Sequence, residues 1–90
     1  AVGGARANNF IGGIAYGKGE YKQALQNYAA TVSGYKATPD EISEALYKLA
    51  YCYYKLGAKE QAVKYVDMVI SRYPDSEWAG NAKTLKGGLK

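Results

Sequence analysis

The chain has 90 residues with 48% hydrophobic content, and its 12 basic and 8 acidic residues give a net charge of +4. A chain of this length forms at most one domain, and this apolar content is enough for a core. The basic residues are spread along the chain without a run that alternates with aromatics, which argues against a nucleic-acid surface. No stretch is long and apolar enough to cross a membrane, so we expect no direct membrane insertion.

The residue combinations that usually carry catalysis are missing from the sequence. The chain has no histidine and one cysteine, Cys52, so neither a thiol–imidazole pair nor an internal disulfide can form. The sequence also lacks a cluster of metal-ligand residues and a glycine-rich phosphate loop. We therefore expect a protein that is not an enzyme and that holds no cofactor or metal, with Cys52 as a half-buried structural thiol.

A first helix is predicted from Ala5 to Tyr16. It contains an unfavourable pair, Gly12 and Gly13, which together cost on the order of 1 to 2 kcal/mol relative to alanine in a helix. Glycines on both sides of Lys18 then predict a turn, and a second helix follows from Glu20 to Tyr35. The apolar stripe of the first helix comprises Ala7, Phe10, Ile11 and Ile14.

The second half of the chain carries strong start and stop signals. Thr38-Pro39-Asp40-Glu41 is a capping box with proline in the first helical position, so a third helix is predicted from Pro39 to Leu56. Gly57 supplies a residue that tolerates positive φ at the chain reversal, and a fourth helix is predicted from Lys59 to Tyr73. After the proline that ends this helix, a fifth is predicted from Ser76 to Leu89.

The chain contains an internal repeat. The segment that begins at Gly19 matches the segment that begins at Gly57, at an offset of 38 residues. This offset places Gly12 on Ala50, which predicts that two helices approach closely at Gly12. The chain is therefore predicted to be a single domain, with repeat one at about 5–37, repeat two at about 38–75 and a capping helix at about 76–89. Core positions are predicted at Leu25, Leu46, Leu49, Tyr53, Ala62, Val66, Val69 and Ile70.

The order of residue types in the second hairpin resembles the tetratricopeptide repeat (TPR) family. Small residues at two positions let the helices of one hairpin approach closely, while large residues fill the space between hairpins. The resemblance implies an all-α fold, with two TPR-like helix hairpins plus a C-terminal capping helix in a right-handed α-α superhelix. The residues that match are Leu46, Leu49, Ala50, Tyr53, Gly57, Ala62, Val66, Val69 and Pro74.

The segment YPDSEWAGNAK narrows the resemblance to particular groups of TPR proteins. With the GEYKQAL and GAKEQAV turns, it is similar to the C-terminal TPR domain of the Tol-Pal system proteins, the periplasmic cell division coordinators of Gram-negative bacteria. TPR lipoproteins of outer-membrane β-barrel assembly share the tyrosine-proline-x-serine element, so both families stay open. The residues that carry the likeness are Gly19, Tyr21, Ala24, Tyr73, Pro74, Ser76, Ala79 and Ala82.

Either family implies a periplasmic location. The coordinator family also implies a segment of the inner-membrane protein TolA as partner. This sequence departs from the coordinator pattern at Lys36, where the first repeat should carry proline, and it does not include the trimerising coiled coil of that family.

The first helix of each hairpin in a TPR superhelix lines a concave groove. Tyr47, Tyr51 and Tyr54 recur at i, i+4 and i+7 on the side of the third helix away from its core stripe. We expect them to anchor a partner peptide, because tyrosines are rigid contact residues; their burial in helix packing is the alternative. The predicted concave face comprises Asn9, Tyr16, Glu44, Tyr47, Lys48, Tyr51, Tyr54, Lys55, Asn81 and Thr84, with Arg6 and Gly13 at its N-terminal end.

Two classes of function follow, a peptide-binding adaptor and a structural module whose faces are used in self-association. About three helical repeats are usually needed for independent stability, and this chain offers two hairpins and a closing helix. Its first helix is weakened by adjacent glycines. Two outcomes follow: a homo-oligomer in which this helix docks on, or exchanges with, a second copy, or a monomer that the fifth helix closes by itself.

Overall fold

The computed structural model describes residues 4–34 and 37–89. Five helices and no strand lie in these ranges, which confirms the predicted all-α fold. Helix ends agree with prediction to within one residue, except that the second helix, predicted to end at Tyr35, ends at Ser33. Tyr35 and Lys36 lie outside the described residues. The helices are α1 (Ala5–Gly17), α2 (Tyr21–Ser33), α3 (Pro39–Lys55), α4 (Lys59–Arg72) and α5 (Glu77–Gly88).

The helices stack in chain order. α1 packs against α2 and α3 packs against α4, and the two pairs meet where α3 lies against α2. α5 packs against α4 and also contacts α3, while α1 contacts α3 as well. The arrangement is therefore two helical hairpins followed by a closing helix.

The two hairpin turns have the same geometry. Each contains a glycine with positive φ, Gly19 at 78° and Gly57 at 82°, a conformation that a side chain disfavours. Each turn also closes with a 2.8 Å backbone hydrogen bond at the same place in the repeat. These bonds run from the N–H of Glu20 to the carbonyl of Ala15 and from the N–H of Ala58 to the carbonyl of Tyr53.

The capping box predicted at α3 is confirmed, and α5 begins with a side-chain cap as well. The Glu41 N–H donates to Thr38 Oγ1 at 3.2 Å, and the Thr38 N–H donates to Glu41 Oε1 at 2.9 Å, which completes the capping box. At the start of α5, the Ala79 N–H donates to Ser76 Oγ at 3.2 Å. These bonds satisfy amides that have no partner within their helix.

The core lies where α3 meets α2 and α4. The prediction was wrong for Leu25, Tyr53 and Ile70, which are half-buried against the core and not within it. Tyr53, for example, stacks on Tyr65 with ring centroids 5.6 Å apart. The predicted core residues that are buried are Leu46, Leu49, Ala62, Val66 and Val69.

Cys52 is buried more deeply than the sequence indicated. It is fully buried, not half-buried, in the cluster that it shares with Ala24, Tyr28 and Leu49. Burial raises the pKa of its thiol to about 11, so the thiol is neutral and unreactive at physiological pH. Tyr28, which was not among the predicted core positions, is also fully buried, and burial raises the pKa of its hydroxyl.

The apolar stripe of α1 faces outward, so it is not the face on which this helix packs. Phe10, Ile11 and Ile14 are 70%, 51% and 47% exposed. The packing stripe of α1 is offset from these residues, because small side chains are needed where α1 lies against α2. The residues of α1 that are buried are Asn9, Gly12 and Ala15.

Gly12 sets the separation of α1 and α2. A Cβ at this position would lie 3.1 Å from Cζ of Tyr28 and 3.2 Å from Cβ of Asn27, which is closer than a methyl group fits. The close-packing role predicted for Gly12 is therefore confirmed. Gly13 has a looser environment, since a Cβ there would meet only the Tyr28 hydroxyl, at 3.7 Å.

α5 ends the stack with a polar outer side. Its small apolar residues Ala79 and Ala82 are buried in the core cluster with α4. An exposed ion pair joins Lys86 Nζ to Asp67 Oδ1 at 2.7 Å, and exposed pairs of this kind contribute little stability. The exposed residues of α5 include Glu77, Gly80, Lys83, Lys86 and Gly87.

Replacing the two glycines of α1 one at a time tests the close packing. Gly12→Ala forces a methyl group against a fully buried tyrosine ring, and overpacking of this kind costs roughly 1 to 3 kcal/mol, more than the gain in helix propensity. Gly13→Ala makes only an ordinary contact, so we expect it to raise stability by up to ~1 kcal/mol. Urea denaturation measures the free energy of unfolding of both variants. An equal gain in stability at the two positions would contradict the close approach of α1 and α2 at Gly12.

The buried thiol predicts a loss of stability in alkali. The unfolded thiol titrates near 9.0, whereas the pKa of Cys52 in the folded protein is about 11, so above pH 9 the unfolded state binds fewer protons. The contribution of this thiol to stability is therefore constant below pH 9 and falls as the pH rises towards 11. We expect the melting temperature to decline over this window and Cys52→Ala to lessen the decline. A melting temperature that is level up to pH 11 in the unmodified chain would rule out the buried neutral thiol.

Candidate functional site

The predicted tyrosines line a groove between α3 and α5. The groove has a volume of about 310 Å³. Tyr47, Tyr51 and Tyr54 share one side of α3 because their spacing follows the helical turn. We call this depression the tyrosine groove; its lining is Tyr47, Tyr51, Tyr54, Asn81, Thr84, Leu85 and Gly88.

Contacts between aromatic rings hold the groove in place from the N-terminal side. The ring centroid of Tyr51 lies 5.3 Å from that of Tyr16, 6.3 Å from that of Tyr21 and 6.0 Å from that of Tyr54. These contacts join residues of α1, α2 and α3, and tilted or edge-to-face aromatic pairs of this kind are favourable. Rings of α1 and α2 therefore hold Tyr51 in place, and Tyr54 packs against it.

The tyrosine groove has a positively charged rim. Lys55 Nζ lies 5.4 Å from the ring centroid of Tyr51 and 5.9 Å from that of Tyr54. Hydrogen bonding to Tyr51 raises the pKa of the Lys55 ammonium, which therefore stays charged. Burial raises the pKa of Tyr16 and of Tyr47, so their hydroxyls stay protonated and able to donate hydrogen bonds.

A second lysine occupies the middle of the concave face. Lys48 Nζ lies 3.1 Å from Glu44 Oε2, and its distance to the ring centroids of Tyr16, Tyr28 and Trp78 is between 5.4 and 5.8 Å. Trp78 in turn stacks on Tyr47, with centroids 5.7 Å apart. Lys48 is thus held by a carboxylate and by aromatic faces, which attract a cation.

A larger depression lies at the N-terminal end of the same face, between α1 and the start of α3. It has a volume of about 660 Å³, and we call it the N-terminal hollow. Asn9, which is 7% exposed, links its two walls by donating from Nδ2 to the Glu41 carbonyl at 3.1 Å and to Glu44 Oε1 at 3.5 Å. The lining of the hollow is Arg6, Asn9, Phe10, Gly13, Ile14, Thr38, Asp40, Glu41 and Glu44.

The structure divides the predicted concave face between these two depressions. Tyr16 contacts Tyr51 from behind the tyrosine groove, Lys55 lies beside the groove rings of Tyr51 and Tyr54, and Lys48 lies beside Trp78, which is outside the lining. Asn9 and Glu44 line the N-terminal hollow and do not line the tyrosine groove. The groove itself unites Tyr47, Tyr51, Tyr54, Asn81 and Thr84.

Some lining residues were not among the predicted ones. Trp78 and Leu85 share the α5 side that carries Asn81, at i, i+3 and i+7, and that spacing could have identified them. Phe10 and Ile14 were assigned to an apolar packing stripe, and their apolar character gave no signal for an exposed wall. The missed lining residues are Leu85 and Gly88 in the groove and Phe10, Ile14, Thr38, Asp40 and Glu41 in the hollow. Trp78, which stacks on Tyr47 without lining either depression, was also missed.

The chemistry of the face is that of a contact surface. In residues 4–34 and 37–89 no group of three or more acidic or cysteine side chains is placed to hold a metal ion. Within the same ranges no helix has the length and apolar character needed to cross a membrane. What the face offers is aromatic rings, hydroxyl groups and a few fixed charges.

Two comparisons relate the chain to known proteins. Residues 44–76, which cover most of α3 and all of α4, match the tetratricopeptide repeat family. The chain is also similar to the outer membrane protein assembly factor BamD of Rickettsia prowazekii (strain Madrid E), with 32% identity over 62 residues. That alignment covers 69% of this chain and 24% of BamD, so the chain spans about a quarter of the length of this relative. No solved structure shows significant similarity. The second hairpin thus matches the tetratricopeptide repeat family, as the predicted resemblance implied.

Proposed function

We propose that the protein is a non-enzymatic protein-interaction module that captures a partner peptide or helix on its concave face. The observation that carries this proposal is the tyrosine groove, in which Tyr51 is held by ring contacts with α1 and α2, Tyr54 packs on Tyr51, and Tyr47 stacks on α5. Rigid tyrosines lose little conformational entropy on binding and combine apolar area with a hydrogen-bonding hydroxyl. Lys55 adds a cation at the rim, which favours a carboxylate on the segment that binds there.

We further propose that the module acts in the cell envelope, on the periplasmic side. Similarity to a protein named an outer membrane protein assembly factor supports outer-membrane protein assembly as the process. The YPDS element supports the same setting and is shared by the Tol-Pal coordinator family, for which a segment of TolA is the candidate partner. Peptides from TolA and from periplasmic segments of outer-membrane assembly proteins are therefore the ligands to compare.

Truncation of Tyr54 tests the groove directly. Tyr54 is 42% exposed and lies at the mouth of the groove, so Tyr54→Ala should leave the fold intact. In calorimetric titration with the peptide that binds, we expect the affinity to fall at least ~5-fold, or about 1 kcal/mol, as for a typical aromatic anchor. Tyr65→Ala is the control, because Tyr65 stacks on Tyr53 and does not line the groove. Unchanged affinity in folded Tyr54→Ala and Tyr51→Ala would exclude the tyrosine groove as the binding surface.

A second candidate function is that of a structural module that self-associates. It is favoured by the exposure of Phe10, Ile11 and Ile14, three large apolar residues on one side of α1. Sedimentation equilibrium over a wide concentration range tests it: we expect a dimer that dissociates on dilution and that Ile11→Lys converts to monomer. One species with the mass of a single chain at every concentration would contradict self-association and leave peptide capture as the remaining proposal.

A further inference from the structure

We propose that the tyrosine groove binds an amphipathic α-helix of the partner, with an acidic residue beside the apolar side chains that enter the groove. This rests on the proposed function, because it specifies which kind of segment the groove captures. Four features of the groove support it: its course between two helices, its low wall on the α5 side, the few polar groups in its lining and the lysines at one of its ends.

The groove is a valley between two helices that run in the same direction. Near the start of α5, Trp78 stacks on Tyr47 of α3, and near the ends of both helices Tyr54 and Gly88 line a second, adjoining depression. We call this depression, which has a volume of about 300 Å³, the C-terminal cleft; its lining is Tyr54, Gly57, Lys59, Gly88 and Leu89. The valley therefore continues past the last tyrosine, and a valley between two helices is a shape into which a third helix packs.

The α5 wall of the groove is low. Thr84 and Gly88 line it across from the three tyrosines, and a Cβ added at Gly88 would have no atom of the described residues within 4 Å. Glycine disfavours a helix relative to alanine, and packing within the described residues does not require a glycine at this position. At Gly12 the absence of a side chain lets α1 approach α2. Gly88 can in the same way let the backbone of a bound helix approach α5.

The lining favours a segment that satisfies its own backbone hydrogen bonds. An extended segment brings an unpaired N–H and C=O at each residue, and burying these groups without partners is costly. Besides the tyrosine hydroxyls, the lining offers the side chains of Asn81 and Thr84, and Thr84 already donates to the Gly80 carbonyl at 3.2 Å. Within the described ranges no strand offers an edge for such a segment to pair with. A helix makes its backbone bonds internally, so it can bury an apolar face here without that cost.

Positive charge lies at the end of the groove where Tyr54 is found. Lys55 Nζ is 5.9 Å from the ring centroid of Tyr54, and Lys59 lines the C-terminal cleft. Towards the other end, Lys48 is already paired with Glu44 at 3.1 Å. A carboxylate on the bound helix is therefore favoured beside Lys55 and Lys59, and complementary charge of this kind fixes the register of a bound segment.

The experiment uses a designed helical probe of about 18 residues, since isolated helices shorter than ~12 to 15 residues are marginal. Both ends are capped, and the probe carries leucines at i, i+3, i+4 and i+7 followed by glutamates in the next turn. Binding is followed by chemical-shift changes of the 15N-labelled chain, and we expect saturable shifts at the amides of Tyr54, Thr84 and Gly88. A second probe has proline at the centre of the leucine stripe and should bind at least ~10-fold more weakly, because proline breaks the helix. Equal affinity of the two probes would overturn the proposal.

Replacing one lysine tests the charge. Lys55→Gln should weaken binding of the glutamate probe at least ~3-fold and leave unchanged the binding of a probe with glutamine in place of the glutamates. Lys64→Gln is the matched control, because Lys64 Nζ also lies over a tyrosine, 5.7 Å from the ring centroid of Tyr65, but does not line the groove. Equal losses in the two variants would indicate non-specific attraction to a basic chain and overturn the acidic requirement.

Two adjacent glycines of α5 test the low wall. A Cβ at Gly87 or at Gly88 would have no atom of the described residues within 4 Å, and of the two only Gly88 lines the groove. Leucine favours a helix more than glycine does, so neither Gly87→Leu nor Gly88→Leu should lower the melting temperature. Gly88→Leu should weaken binding of the helical probe at least ~10-fold by filling the groove, whereas Gly87→Leu should leave it unchanged. Undiminished affinity in Gly88→Leu would show that the probe does not lie against α5 and would overturn the proposal.

Tyr54→Ala separates this proposal from the proposed function. If capture of the partner peptides depends on Tyr54 but the proline-containing probe binds as tightly as the helical one, the helix inference fails and the groove stands. If neither the partner peptides nor the helical probe is affected by Tyr54→Ala and Tyr51→Ala, the groove is not the binding surface and both proposals fail.

Discussion

Helix α3 contacts every other helix of the protein, and the rest of the structure depends on how its residues are shared between two uses. Leu46, Leu49 and Cys52 are buried against neighbouring helices. The turn of 3.6 residues places Tyr47 and Tyr51 on another side, towards α1 and α5. The core that fixes α3 therefore also fixes the tyrosines, and a shift in the register of α3 would disturb stability and binding together.

Much of the fold could be predicted from local chemistry. The capping box at Thr38 and the positive-φ glycines at Gly19 and Gly57 act over a few residues, so the sequence displays them directly. The position of Gly12 against Tyr28 could be predicted because the internal repeat placed Gly12 on Ala50. Prediction failed for the packing face of α1, because an apolar stripe predicts a covered face only when a neighbouring helix is there to cover it.

Only part of the candidate site could be predicted, because the rest depends on how the helices pack against one another. The spacing of Tyr47, Tyr51 and Tyr54 is a property of one helix, so their common side could be predicted from sequence. The stacking of Trp78 on Tyr47 depends on the angle at which α5 meets α3, and no local pattern encodes that angle. The N-terminal hollow likewise arises from the gap between α1 and the start of α3. Asn9, which is buried in the wall of the hollow, could not be singled out because nothing in the sequence distinguishes it from other polar residues.

The two ends of the helical stack differ in polarity, and this difference limits how copies of the chain can associate. α1 exposes Phe10, Ile11 and Ile14, whereas the outer side of α5 carries residues such as Lys83 and Lys86. A head-to-tail filament needs complementary surfaces at both ends, and an apolar end has no counterpart on a lysine-rich one. If copies associate through α1, as the self-association proposal requires, the contact is isologous: two copies related by a two-fold axis bury the same face, and the polar ends point away from each other. Such an assembly would close after two subunits, with its growth terminated by α5.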